Sequence, residues 1–309
     1  MKEQVTTHCI NNVPEGPDAF EYLKKLGEEG FDIVFATCPA FINATLKAAL
    51  EYPETRFLNC SETHTYKHVN TYFGRIYEPR FLAGIVAGAV TRSNILGYVG
   101  TYPIAGVING VNAFALGARM VNPDVKVVAA WTKQWDSFER AKDASTKLIQ
   151  KGADIVSHHD TLSNREFSRE YGVYSVVCGI NEDNCSTGQY IAAPVWNWGV
   201  FYEKIIRSLM NDRWKGFADM LGSGQKPVNF WWGIDSGIVD FFFSRRLVPR
   251  ETQKLISLVK RTIISGEFHP FTGPVYDRKG KIRIKQDEVA THEQIISMDW
   301  LVDAVTEEI

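Results

Sequence analysis

Apolar residues recur at helical spacing in seven stretches, which predict amphipathic helices over residues 18–29, 81–90, 108–120, 138–151, 198–211, 250–265 and 292–305. Between them lie short strand-like runs, Arg56 to Cys60, Ile95 to Gly100, Val125 to Trp131 and Val173 to Gly179, each followed by a loop or a helix start. One phrase occurs twice. Lys25-Leu26 followed by Gly30, Asp32, Ile33 and Val34 is matched by Lys147-Leu148 followed by Gly152, Asp154, Ile155 and Val156, 122 residues later. In each copy an amphipathic helix ends at a glycine and a buried strand begins, which is the helix-to-strand step of a parallel sheet. The pattern predicts an α/β chain of two similar lobes, each a doubly wound parallel sheet flanked by helices.

Composition narrows the chemistry. At 309 residues, with 45% hydrophobic and 23% charged positions, the chain exceeds what one ordinary core serves. A formal net charge of -2 supplies no long-range field to recruit nucleic acid or anionic lipid, so a partner must be held by local contacts. Cys9, Cys38, Cys60, Cys178 and Cys185 show no CxxC spacing and read as free, mostly buried thiols. No apolar run approaches the roughly 20 residues needed to span a bilayer, and the opening Met1-Lys2-Glu3-Gln4-Val5 lacks the pattern of an export signal, so the chain as written is expected in the cytosol.

Catalytic and metal motifs are not assembled. His158 and His159 are adjacent, so on a strand they point to opposite faces and read as a capped strand end rather than a shared metal site. His64 and His68 have helical metal spacing, but Thr63, Thr65 and Tyr66 make that stretch a solvated loop. Gly222 to Pro227 lacks the Gly-Lys-Ser/Thr ending of a phosphate loop and reads as a turn. The expectation is a binding protein with no catalytic residue, no cofactor and no metal.

In open parallel sheets, ligands sit beyond the carboxyl ends of strands. That rule selects Thr37, Cys38 and Phe41 after the first copy of the repeat, and His158, His159 and Asp160 after the second. Tyr102, Thr132, Trp135 and Asn181 follow other strands, and Trp196 and Trp198 flank a probable crossover. Flat aromatics suit a heterocyclic base, with amides and carboxylates orienting its edge, although any single aromatic in a sheet protein is more often core than stacking platform.

The stretch Phe73-Gly74-Arg75-Ile76-Tyr77-Glu78-Pro79-Arg80-Phe81-Leu82-Ala83-Gly84 resembles the signature of the basic membrane protein family of substrate-binding proteins. Gly97 to Gly100, Pro103-Ile104, Gly110 to Arg119, Pro194 to Gly199, Phe268 to Pro274 and Met298 to Leu301 follow further blocks of that family in order. The resemblance implies a type I periplasmic-binding-protein fold with a three-segment hinge. It also implies a purine base or nucleoside as ligand, an ABC importer permease as partner, and a lipoprotein on the outer face of the cell membrane. The expected lobes are residues 1–93 with 196–230, and 94–195 with 231–309. Relatives begin with a further strand and helix, so the first lobe is expected to be incomplete, with its first strand missing.

The resemblance adds Asp235, near the family's glycine-flanked return strand, as either a ligand carboxylate or a turn cap. Tyr77 stands where nucleoside-binding relatives are expected to carry an acidic residue, which favours a bare base. The expected ligand set is therefore Thr37, Phe41, Tyr77, Tyr102, Trp135, Asp160, Asn181, Trp196 and Asp235. Two other functions fit the same fold: a cytosolic sensor or regulator, and a nucleoside-processing enzyme.

Overall fold

The computed structural model describes residues 5–62, 69–135, 137–159, 170–178, 189–210 and 228–308. The chain forms two compact units, residues 1–73 with 205–231 and residues 74–204 with 232–309.

In the first unit, α1 (Ala19–Glu28) buries Ala19, Phe20 and Leu23 and turns Lys24, Lys25, Glu28 and Glu29 outward as ion pairs one turn apart. Gly30 takes φ +74, which lets Phe31 N–H donate back to Leu26 O and close the helix before β1 (Ile33–Ala36). α2 (Ile42–Glu51) then leads to β2 (Arg56–Cys60), which pairs parallel with β1, Ile33 opposite Arg56. β3 (Asn70–Gly74) and β9 (Asn229–Trp232) complete a four-stranded sheet in the order β1-β2-β3-β9. Phe20, Leu23, Val34, Ala48, Phe57 and Val69 form its core.

The second unit is built on a seven-stranded sheet whose central members are β4 (Ile95–Gly100), β5 (Lys126–Trp131) and β6 (Ile155–His158). With β7 (Tyr174–Val176), β8 (Tyr190–Trp196), β10 (Val239–Phe243) and β13 (Val305–Glu307), the order is β10-β8-β7-β6-β4-β5-β13. Every pairing is parallel except β10 with β8, and β11 (Val275–Tyr276) with β12 (Ile282–Ile284) makes a separate antiparallel pair.

Strand alternation sends the two faces of β4 to different helices. Gly97 and Val99 face α5 (Phe138–Gln150), where an added Cβ at Gly97 would lie 3.1 Å from Leu148. Tyr98 faces the other way, onto Phe114 of α4 (Ala105–Val121) and Arg80 of α3 (Tyr77–Val90). α5 ends as α1 does: Gly152 at φ +95 allows Ala153 N–H to donate to Leu148 O, and β6 follows. The repeated phrase thus makes the same turn in both units.

The units divide at 73/74, 204/205 and 231/232. The physical reason is that α3 packs on α4 in the second unit, with Gly84, Gly88 and Gly117 at the contact. The helix expected over 292–305 stops at Ile296. Beyond it, buried Asn112 of α4 donates to Trp300 O and accepts from Val302 N–H, holding the chain extended so that β13 can pair with β5.

Candidate functional site

The carboxyl ends of β4, β5 and β6 meet the start of α5 around a recess of about 20 Å³. It is lined by Val99, Gly100, Thr101, Thr132, Gln134, Trp135, Ser137, Ala141, His158 and His159. That volume holds one water-sized group. At its mouth Trp135 is 54% exposed and pairs with Tyr102, ring centroids 5.3 Å apart and planes tilted by 50°. Thr132 supports the following turn, its hydroxyl donating to Gln134 O and accepting from Gln134 N–H. Ser137 caps α5 by accepting from Arg140 N–H.

The two histidines leave β6 on opposite faces. His158 meets Ser145 of α5 through Nε2 at 2.9 Å, whereas His159 meets the Tyr98 hydroxyl through Nδ1 at 2.9 Å. Buried Arg80 fixes the backbone between them, donating from one guanidinium nitrogen to His158 O and from the other to His159 O. Burial, with the nearby Arg80 charge, pushes His158 down to about 4 and His159 well below its usual range, so both rings are neutral near pH 7. Among the described residues, the buried Thr101 hydroxyl and His158 Nδ1 have no hydrogen-bond partner.

A second polar cluster lies elsewhere in the same unit. Arg75 donates to the buried carboxylate of Glu78 and to Asp235, and Ile234 N–H donates to Glu78. Burial raises the Glu78 carboxyl above its usual range, while Arg75 and Ile234 N–H pull it back. Asp235 is exposed in a 3-10 turn and ion-paired.

The expected ligand residues fall into separate groups. Tyr102 and Trp135 come together beside the recess. Tyr77 is 1% exposed, packed on Phe271 and hydrogen-bonded to His269 at 3.1 Å, so its ring belongs to the core. Trp196 stacks on Trp198, centroids 4.7 Å apart and planes 7° from parallel, so one face of each indole is covered. In the first unit Thr37 is exposed after β1, and Phe41 packs partly on the core while its carbonyl accepts from Thr45. Asp160 and Asn181 lie outside the described residues. Thr101, Gln134 and Ser137 are polar lining residues that sequence reasoning passed over, although Thr101, directly after Gly100, satisfies the strand-end rule. Among the described residues, no group of three or more His, Cys, Asp or Glu is arranged to hold a metal. No described helix is long and apolar enough to cross a membrane.

A family model described as ABC transporter substrate-binding protein PnrA-like matches residues 2–268. The chain is 28% identical over its whole length to a purine-binding protein of Brucella abortus, covering 85% of that protein. It is also 28% identical, over 84% of its length and 64% of the other's, to a Haloferax volcanii protein whose name describes an ABC transporter glucose-binding protein. Among solved structures, a transcriptional activator of the comK gene from Bacillus halodurans superimposes with a TM-score of 0.70 at 16% identity, covering 82% of this chain and 85% of that one. An ABC transporter solute-binding protein from Aeropyrum pernix gives 0.65 at 16%, covering 81% and 80%. The fold is that of the type I solute-binding proteins.

Proposed function

The chain belongs to the PnrA-like family of ABC transporter substrate-binding proteins, and we propose on that premise that it binds a purine base or nucleoside and presents it to an importer permease at the outer face of the membrane. The observation that carries the ligand class is the Tyr102–Trp135 pair beside a mainly apolar recess, with Thr101, Thr132, Ser137 and the two histidines among its lining, at the carboxyl ends of β4 to β6. An exposed indole offers a flat face to a heterocycle, and the recess offers polar groups to its edge. The Brucella relative's purine ligand supports the same choice, and the Haloferax relative's name supplies the competitor to test. The role is carriage, that of a substrate-binding protein, in keeping with the family.

The preference for a bare base over a nucleoside drew on Tyr77, which is enclosed; titration with adenine beside adenosine decides it. The test of the whole proposal is a thermal-shift series with adenine, guanine, adenosine, guanosine, inosine and glucose. A ligand that binds only the folded state raises the midpoint by mass action, by about 2.7 kcal/mol of added stability at a hundredfold excess over Kd. A rise with a purine and none with glucose is the expected result. A response to glucose alone would overturn the purine assignment.

A further inference from the structure

The tautomer of His158 follows from its neighbour. Ser145 sits within α5 and its hydroxyl donates to Ala141 O at 2.7 Å. A hydroxyl carries one hydrogen, so in the 2.9 Å contact with His158 the serine oxygen accepts and Nε2 carries the proton. In a neutral ring the other nitrogen is then a bare acceptor. That atom, Nδ1, is buried without a partner among the described residues, and so is Oγ1 of Thr101, which lines the same recess. His158 is 5% exposed and Thr101 4%.

We propose that His158 and Thr101 form a specificity pocket for a primary amine on the edge of a flat heteroaromatic ring, with one N–H donated to His158 Nδ1 and the other to Thr101 Oγ1. The argument rests on the purine reading above and names which purines the site prefers. An amine nitrogen matches the one-water size of the recess, and the ring it belongs to stays outside against Trp135. His158 Nδ1 can only accept, which distinguishes an amine from a keto oxygen with no hydrogen to give, while the Thr101 hydroxyl, able to accept or donate, takes the second N–H. A keto group in this position would face the His158 lone pair and leave it unpaired, the kind of mismatch that discriminates most strongly among ligands of similar shape.

The experiment compares adenine with 6-methylpurine, in which a methyl group replaces the amine at nearly the same size, by calorimetric titration of the whole chain. The native protein is expected to favour adenine by about tenfold or more, the value of one well-made buried hydrogen bond. His158→Gln keeps an amide N–H for Ser145 but has no acceptor at the Nδ1 position; in it the preference is expected to fall to near unity. Nitrogen-15 spectra of the histidine rings give a second readout. They are expected to show His158 protonated at Nε2, with Nδ1 shifting when adenine is added. A preference that survives in His158→Gln, or a His158 ring protonated at Nδ1, overturns the proposal while leaving purine binding intact. Failure of every purine to bind overturns both.

Discussion

A histidine packed where water cannot reach it makes folding depend on pH. Burial, then the Arg80 charge, pushes His158 down to about 4; burial, then the Arg75 charge, does the same to His269, whose Nδ1 accepts from Phe271 N–H. The unfolded chain takes up these protons near pH 6.5, whereas the folded chain refuses them until about pH 4. Between those values the unfolded state holds more protons. This stability is therefore fully present above pH 6.5 and is lost as pH falls toward 4, at about 1 kcal/mol per pH unit for each ring. His269→Asn preserves an acceptor for Phe271 N–H and cannot titrate. Urea unfolding at several pH values is expected to show a shallower loss of stability between pH 6.5 and 4.5 in this variant than in the native chain. An unchanged slope would show that His269 is not the ring responsible. At this scale the sequence was partly legible: alternation placed His158 and His159 on opposite faces, and the strand-end rule selected Tyr102, Trp135 and His158. The core alternative was open for every aromatic, but what settles it for Tyr77, its packing against Phe271, lies nearly 200 residues away in the chain.

Helices and strands were more readable, and the family block around Phe81-Leu82-Ala83-Gly84 has a mechanical explanation. α3 and α4 approach so closely that a Cβ at Gly84 would lie 2.0 Å from Phe114 O, and one at Gly117 would lie 2.0 Å from Phe81 O. The contacts are reciprocal, backbone against backbone, so neither helix can yield by rotating a side chain. Gly84→Ala is expected to destabilise by about 3 kcal/mol, the upper part of the usual range for overpacking. Gly199, in the first turn of the helix Trp198–Met210, has open space around its Cβ position. Gly199→Ala is expected to be neutral or to stabilise by a few tenths of a kcal/mol. Thermal or urea denaturation of the two variants checks the pair; equal effects would mean that the α3–α4 contact relaxes freely. Periodicity found α5 to within one residue but extended the last helix through Met298 to Val305. Apolar spacing there is compatible with either state, and the decision is made by Asn112, which supplies the hydrogen bonds that hold residues 300–302 in place.

At the scale of the whole chain, the internal repeat revealed two α/β units, while the exact partition depended on which sheet each helix covers, a tertiary fact. The units differ in how they protect their strands. β4 is covered by α5 on one face and by α3 and α4 on the other, and lies between β5 and β6. Among the described residues, the first unit's sheet has four strands, and much of its core is alanine: Ala19, Ala36, Ala44, Ala48 and Ala49 stand beside Phe20, Leu23, Val34 and Phe57. Alanine buries little apolar area, and each buried CH2 contributes about 0.8 kcal/mol, so the smaller unit has less to oppose its chain entropy. Native-state hydrogen exchange in rising denaturant is therefore expected to release the amides of Phe57 and Leu58 before those of Tyr98 and Val99, as two cooperative groups rather than one. Exchange of both groups with the same denaturant dependence would show a single cooperative unit and would mean that the stability of β2 is set by the larger sheet rather than by its own core.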